Sequence, residues 1–583
     1  VNDRRPRTNV CNVLVIGAGA AGLRAAIAAH QAGTEVVIIA KRARRDAHTA
    51  LAAGGTNAAL GTRDPEDSWQ QHFADTLREG YFLSDSRVVE MMTREAPAAI
   101  LELAEWGCPF ERTPEGSLDQ RFFGAHRYRR TCYAGDYTGR AMLHTLADRV
   151  NQLDIPVVDN QYVSRLLVDG GTCFGAFAFD QDSGERTAFF ADAVVLATGG
   201  HTRIWRRSSS RRDENNGDGM HLGLQAGCAL SDMELVQFHP TGMVWPEDVA
   251  GTLVTEAVRG EGGRLYNSDG ERFMERYDSA RMELSTRDRV ALANYTEIVS
   301  GRGGPNGGVY LDISHRDKEF ILHKLPRIYR QFIELQMLDI SAEPMEVAPT
   351  AHYSMGGIVV DPATHATEIE GLFAAGEVTA GLHGANRLGG NSLSETVVFG
   401  RRAGEGAADL SRSRDAQLRS RKVVEEAIDD LDSLIHTGDE IVRPVQRALR
   451  NLMWERCGVV RSEGDIDRGL QDLAGIKAAV PNMDVRPTSE GFGDLAHVLD
   501  LIASIGTAEA TLLCARERRE TRGGHTRSDY PTLNDNLRVN FRVRQLPDGA
   551  LRVSKEAVPP VPDHLVEWAS QEEPIEAAGR LLE

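Results

Sequence analysis

The sequence predicts an α/β protein: a doubly wound, Rossmann-like domain with an inserted α+β domain, then a helical domain and a small C-terminal domain. Three observations predict this. Val13 to Ile16 is a short, β-branched apolar run that meets the turn Gly17-Ala18-Gly19-Ala20-Ala21-Gly22. A second strand-and-glycine segment, Gly371 to Glu377, returns far downstream. From about Ser411 glycines thin out and long charged stretches take over.

The first run reads as a buried parallel strand, and a helical stretch follows to about Ala32. Glu35 to Ala40 supplies the second strand of a βαβ unit. In that unit Gly17 permits the tight turn, Gly19 lets the backbone approach a pyrophosphate, and Gly22 lets helix and strand pack closely. Ala193 to Leu196 is another strand, running into Ala197-Thr198-Gly199-Gly200. The distance from there to Gly371 implies an insertion from about Met233 to His352. Lys422 to Ile435 and Asp494 to Arg519 read as amphipathic helices, and the tail from Leu537 is short and mixed.

At 583 residues the chain exceeds one hydrophobic core, so two to four domains are expected. The formal charge of −19 argues against nucleic acid as a partner. No apolar run is expected to approach the ~18 residues of a membrane span. No apolar signal segment follows the basic start, Val1 to Arg7, so a cytosolic chain is expected. Seven scattered cysteines without a Cys-x-x-Cys pair predict reduced thiols, neither a disulfide framework nor cluster ligands.

An acidic residue normally ends the second strand of a dinucleotide-binding unit and holds a ribose hydroxyl. Here Ala40-Lys41 stands there, which weakens a plain NAD reading and leaves Lys41 either meeting a phosphate or solvated. His48 and Thr49 follow in Asp46-Ala47-His48-Thr49-Ala50-Leu51-Ala52-Ala53-Gly54-Gly55, a small-residue loop able to lie flat against a ring system. Further on come Gln237-Phe238-His239-Pro240-Thr241-Gly242 and Thr255-Glu256-Ala257-Val258-Arg259-Gly260. Arg287, His352 and Arg387 complete the set, and His239, His352 and Arg387 together suit a small dicarboxylate.

Taken jointly, in order and spacing, these segments resemble the flavoprotein subunit of the succinate dehydrogenase and fumarate reductase family. The resemblance covers nearly the whole chain. It implies an FAD-binding domain in two parts, residues 1–232 and 353–411, and a capping domain over 233–352. A helical domain, 412–536, and a C-terminal domain, 537–583, follow. It implies covalent FAD through His48. It implies FAD contacts at Gly17, Ala18, Gly19, Ala20, Ala21, Gly22, Lys41, Thr49, Ala53, Gly54, Gly55, Asp218, Glu377, Ser392 and Leu393. At Ala53 the family has a polar Gln or Glu, so any contact there must come from backbone. By the same resemblance His239, Thr255, His352 and Arg387 hold the dicarboxylate, and Arg287 transfers the proton, supplied through Glu256. No metal ligand is implied.

Electrons must leave the flavin, so the resemblance also implies an iron–sulfur partner, a membrane anchor with quinone, and a place on the cytoplasmic face of a bacterial membrane. L-aspartate oxidase, whose FAD is not covalently attached, and a soluble fumarate reductase are the rival readings. A catalytically silent flavin-binding scaffold is a third. The run Arg516 to Arg527, ending near Asp529-Tyr530-Pro531, is either a late family segment or a solvated charged face.

Overall fold

The computed structural model describes residues 5–488 and 491–570. Its main sheet opens with β1 (Arg7–Ile16), α1 (Ala20–Gln31) and β2 (Val36–Ile39). It continues with β3 (Val157–Val158), β4 (Gln161–Asp169), β5 (Thr172–Asp180) and β6 (Arg186–Leu196). The strand order is β3-β2-β1-β6-β5-β4. Strands β3, β2, β1 and β6 run parallel, with Val13 beside both Val36 and Ala193. Val36 to Ile39 are all buried, as expected of a strand covered on both faces.

The inserted domain has its own sheet. Its strands are β7 (Val236–Met243), β8 (Arg264–Tyr266), β9 (Val309–Asp312) and β10 (Met345–Ser354), in the order β7-β10-β9-β8. Helix α2 (Arg287–Glu297) packs on β7. The chain enters and leaves through β7 and β10, which pair antiparallel with irregularities after Gln237 and after His239. Such bulges re-aim side chains, and both residues turn out to face the cleft described below or its supports.

Inside this domain the Glu297 carboxylate is buried and fully engaged. It accepts hydrogen bonds from Tyr277 Oη at 2.6 Å, Arg302 Nε at 2.7 Å, Arg276 Nη2 at 2.8 Å and Asn267 Nδ2 at 2.9 Å. Burial alone would push its pKa up, but these donors outweigh it and hold the group at about 2. The unfolded chain binds this proton near the ordinary 4.5, so the contribution exists above that pH and is lost as pH falls from 4.5 through 2. It amounts to about 3 kcal/mol at most. Glu297→Gln is expected to lower the unfolding midpoint in denaturant at pH 7, with a smaller difference at pH 4. An equal difference at both pH values would refute this account.

Beyond the insertion, β11 (Leu372–Ala374) rejoins the main sheet beside β6, with Leu372 opposite Val194. Helix α3 (Asn391–Ser413) then crosses α1 at close range. A Cβ at Gly404 would lie 2.1 Å from Ala25 O, so only glycine allows this approach. That contact fixes the direction in which the start of α3 points.

Helices Arg421–Ser433, Val442–Arg456 and Glu463–Ala479 share a core with α4 (Gly493–Glu517). Helix α4 corrects two expectations. It is not amphipathic: Leu501, Ile505 and Leu512 on one side and Ala496, Ala503, Ala510 and Cys514 on the other are all buried. It is also long and apolar enough to cross a membrane. Most of it is buried inside the protein, which makes it a core helix packed between the bundle, the helix Asp218–Ala226 and the strands Val539–Gln545 and Leu551–Ala557.

The run from Arg516 is not a uniformly solvated face. Arg518, Arg522 and Arg527 are buried. Arg518 meets Glu234 Oε1 at 2.5 Å, Glu520 Oε1 at 3.1 Å and Asp232 Oδ1 at 3.4 Å. It also donates to the carbonyls of Leu537 and Val539. The strands Val539–Gln545 and Leu551–Ala557 extend a small sheet begun by Leu230–Ser231 and Gly357–Ile358. Residues 537–557 therefore share strands with the first domain. Residues 571–583 of the C-terminal stretch, and residues 1–4 of the basic start, lie outside the described residues.

Candidate functional site

One long cleft, enclosing about 1790 Å³ of empty space with its mouth, runs from the first glycine turn to the junction with the inserted domain. Gly17, Ala18, Gly19, Ala20, Ala21, Lys41, His48, Thr49, Ala53, Gly54, Gly55, Asp218, Glu377, Ser392 and Leu393 all line it. So do His239, Thr255, Glu256, Arg287, His352 and Arg387. Gly22 alone among the expected residues does not. It packs behind the turn, where a Cβ would fall 1.9 Å from Gly17 O.

The cleft begins at an open helix N-terminus. Gly19 caps α1 without any side-chain hydrogen bond, and Ala20 N donates to Thr49 Oγ1 at 3.2 Å. The first-turn amides that follow, like those of any helix start, suit an anionic group. Thr198 Oγ1, on the cleft wall, is buried without a hydrogen-bond partner among the described residues. Lys41 Nζ sits 2.5 Å from Asp500 Oδ1 and 3.8 Å from Asp218 Oδ2, so it is paired, not solvated. Burial opposes its charge, yet Asp500 and Asp218 outweigh this and hold its pKa above the ordinary lysine value. The acidic group missing from the end of β2 is thus supplied nearby from two helices. A donor-lined trough ending in a flat, small-residue loop fits FAD.

His48 opens a short 3-10 turn, His48–Leu51. Its Nδ1 is 2.8 Å from Glu214 Oε1. Ala53 contributes backbone only: Arg121 Nη2 donates to its carbonyl at 3.4 Å and also to Gly54 O. Phe123 lies against Gly54, with no room there for a Cβ. At the other side Gly390, Ser392 and Leu393 place the first turn of α3 on the cleft wall. Glu377 Oε1 accepts from Ser354 N at 3.0 Å, and burial raises its pKa.

At the far end the charged groups converge. Arg287 Nη1 and Arg387 Nη2 both donate to Gln237 Oε1, at 3.0 and 2.9 Å. Gln237 is held in turn by Asn386 Oδ1 and Arg387 O. Arg287 Nε donates to Glu256 Oε2 at 2.7 Å, and Gly124 N donates to Glu256 Oε1 at 3.1 Å. Burial pushes the Glu256 pKa up, but Arg287 and Arg259 outweigh it and keep the group ionised, at about 2. Arg387 is buried, stacks 4.5 Å from the Tyr353 ring centre and donates to Ser392 Oγ at 3.0 Å. Burial and the Arg287 charge lower its pKa to about 9.

The His239 and His352 rings meet edge to face, 5.2 Å between centres. His239 Nδ1 faces the Thr241 backbone at 3.2 Å, and His352 Nδ1 contacts Ser209 Oγ at 2.9 Å. Burial, then neighbouring positive groups, push both pKa values well below the ordinary range, so both rings are neutral at pH 7. Thr255 is buried beside them, its Oγ1 accepting from Ala257 N at 3.3 Å.

Three residues escape a reading by residue type. Gln237 joins the two arginines, although an amide in a strand carries no signal of that role. Glu214 meets His48 across 166 positions of sequence. Arg259 is buried with Nη2 3.7 Å from Glu256 Oε2, and its Nε and Nη2 have no hydrogen-bond partner among the described residues. Its place three residues after Glu256, one helical turn on, was the available clue.

The family description "FAD binding domain" matches residues 12–393, and "Fumarate reductase flavoprotein C-term" matches residues 446–561. The chain is 44% identical to a fumarate reductase (CoM/CoB) subunit of Methanothermobacter marburgensis, over 89% of this chain and 94% of that protein. It is 38% identical to the succinate dehydrogenase flavoprotein subunit of Rickettsia bellii, over 90% and 91%. Among solved structures, Mycobacterium smegmatis Sdh1 in complex with UQ1 is 41% identical, with a TM-score of 0.88 over 96% of each chain. With two-domain coverage, identities well above 30% and a shared fold, this chain belongs to the succinate dehydrogenase/fumarate reductase flavoprotein family of FAD-dependent oxidoreductases.

Proposed function

We propose that the protein interconverts succinate and fumarate, using FAD linked covalently through His48. The observation that carries this reading is the convergence of Arg287 and Arg387 on Gln237 Oε1, beside two neutral imidazoles, where the trough that fits FAD ends. FAD bound there would supply the hydride acceptor and donor. Gly17 to Gly22, Lys41, Thr49, Ala53, Gly54, Gly55, Asp218, Glu377, Ser392 and Leu393 would hold it.

Arg387 grips one substrate carboxylate with its planar fork. Thr255, His239 and His352 hold the other by donating hydrogen bonds; the neutral imidazoles do so without adding positive charge. Arg287 faces the reacting carbons and moves the proton. A guanidinium is ordinarily a poor match for a base. Glu256, at 2.7 Å and ionised, accepts the proton as Arg287 exchanges it, so no free neutral guanidine need accumulate. Arg259 supplies the next positive group in the chain of transfer.

The seven cysteines are scattered along the sequence without iron–sulfur spacing. We infer an iron–sulfur partner, then a membrane anchor with quinone, on the cytoplasmic face of a bacterial membrane. The relatives named as succinate dehydrogenase flavoprotein subunits support this. The 44% identical CoM/CoB relative favours a second reading, a fumarate reductase that takes electrons from thiols.

Anaerobic titration tests the activity. Succinate is expected to bleach the visible flavin band, and fumarate to restore it. Bleaching by L-aspartate instead would put aspartate oxidase in its place. Co-purification with quinone-reactive proteins, against turnover with a dithiol donor, separates the two electron routes. Denaturing gel electrophoresis under ultraviolet light is expected to show yellow fluorescence on the 63.8 kDa band. A dark band from FAD-replete protein would remove the covalent link.

A further inference from the structure

We infer that Glu214 is the positioning residue for covalent attachment: it holds His48 by Nδ1, so that Nε2 is the nitrogen presented to FAD. The inference rests on the covalent reading above. Glu214 Oε1 accepts from His48 Nδ1 at 2.8 Å and from Arg211 N at 2.8 Å. Glu214 Oε2 accepts from Arg211 Nε at 3.2 Å. The other end of the same guanidinium grips Asp46, donating to its carbonyl oxygen at 2.7 Å and to its side chain. Asp46 lies two residues before His48. One arginine therefore ties the carboxylate to the loop that carries the imidazole.

The Glu214 side chain is buried and the His48 ring is only partly so, which leaves the ring one free nitrogen on the cleft side. A neutral imidazole has one N–H and one lone pair. A carboxylate at Nδ1 selects the tautomer with hydrogen on Nδ1 and the lone pair on Nε2. It also makes the ring more basic, against the opposing effect of burial.

Attachment joins His48 Nε2 to the 8α carbon of FAD, and one methyl C–H bond breaks. The electron pair of that bond, one hydrogen from the methyl group and one from the imidazole end on the flavin ring, which is left reduced. Fumarate, the oxidant of the proposed activity, restores the oxidised ring and leaves as succinate. While the new C–N bond forms, the imidazole gains positive charge. Glu214, ionised with a pKa of about 2, faces that charge directly and then accepts the Nδ1 proton for release.

The test uses the full chain, purified without flavin and then incubated with FAD and fumarate. Total bound flavin is read after desalting, and covalent flavin by fluorescence on a denaturing gel over time. Wild type is expected to show both. Glu214→Gln is expected to bind FAD normally but to attach it at least tenfold more slowly. Glu214→Asp, which keeps the charge one methylene further back, is expected to attach at an intermediate rate. Attachment by Glu214→Gln at the wild-type rate would overturn the proposal. If Glu214→Gln does not fold, a wild-type rate in Glu214→Asp would overturn it instead. A dark wild-type band would show that the covalent reading itself had failed, and this proposal with it.

Discussion

Replacing Arg287 with Ala is expected to cut succinate oxidation and fumarate reduction together, by at least about a thousandfold, a typical loss for a positioned proton-transfer group. FAD should stay bound, because Arg287 lies at the substrate end of the cleft and the proposed flavin contacts lie elsewhere. The loss should fall mainly on kcat, since Arg387, His239, His352 and Thr255 would still hold the carboxylates. Both directions must suffer alike, because the same proton is removed in one and delivered in the other. Removing Arg287 also deprives Glu256 of its hydrogen-bonded ion-pair partner and leaves Arg259 at 3.7 Å. Its carboxyl should then titrate higher than about 2, which a pH profile of residual activity would register. Steady-state rates within tenfold of wild type would eliminate Arg287 from proton transfer.

His48→Ser should behave differently. FAD is expected to remain bound, without fluorescence on a denaturing gel, and fumarate reduction is expected to persist. Succinate oxidation should fall by about a hundredfold. Alkyl substitution by the imidazole makes the flavin more oxidising, and succinate is a weak reductant. For a two-electron couple, each ~30 mV lost from the potential costs about tenfold in the equilibrium. The protein should tolerate the change, because Glu214 keeps its bonds from Arg211 when the imidazole is gone. Equal loss in both directions would sink the potential-based explanation.

The parts of this molecule that were readable in its sequence are those governed by local rules. The βαβ turn follows from glycine spacing, and the core residues Val13 to Ile16 follow from an apolar run. The grouping of His48, His239, Arg287, His352 and Arg387 in one cleft followed from family resemblance, since no local rule brings together residues this far apart. What escaped was set by long-range packing. Glu214 meets His48 because two loops fold against each other, and Gln237 points at two arginines because β7 is bulged. Helix α4 looked amphipathic when its few charges were weighed, but Asp500 is buried against Lys41 and Tyr162 and so belongs to the core. The arginines after Arg516 posed the same problem: charge suggests water, and only the fold supplies Glu234 and Glu520 as partners.

That buried arginine knot has a practical meaning for anyone dissecting the protein. Arg518 binds Glu234, immediately before the strand that leads into the cap, and also two carbonyls at the start of the final segment. Stripping away residues beyond 536 would take two acceptors and the stacked Phe541 ring from this guanidinium, a far harsher insult than losing a surface tail. Shortened expression clones and fusions spliced near that boundary should therefore disturb the entry to the inserted domain, even though that entry is remote from the cut in chain order.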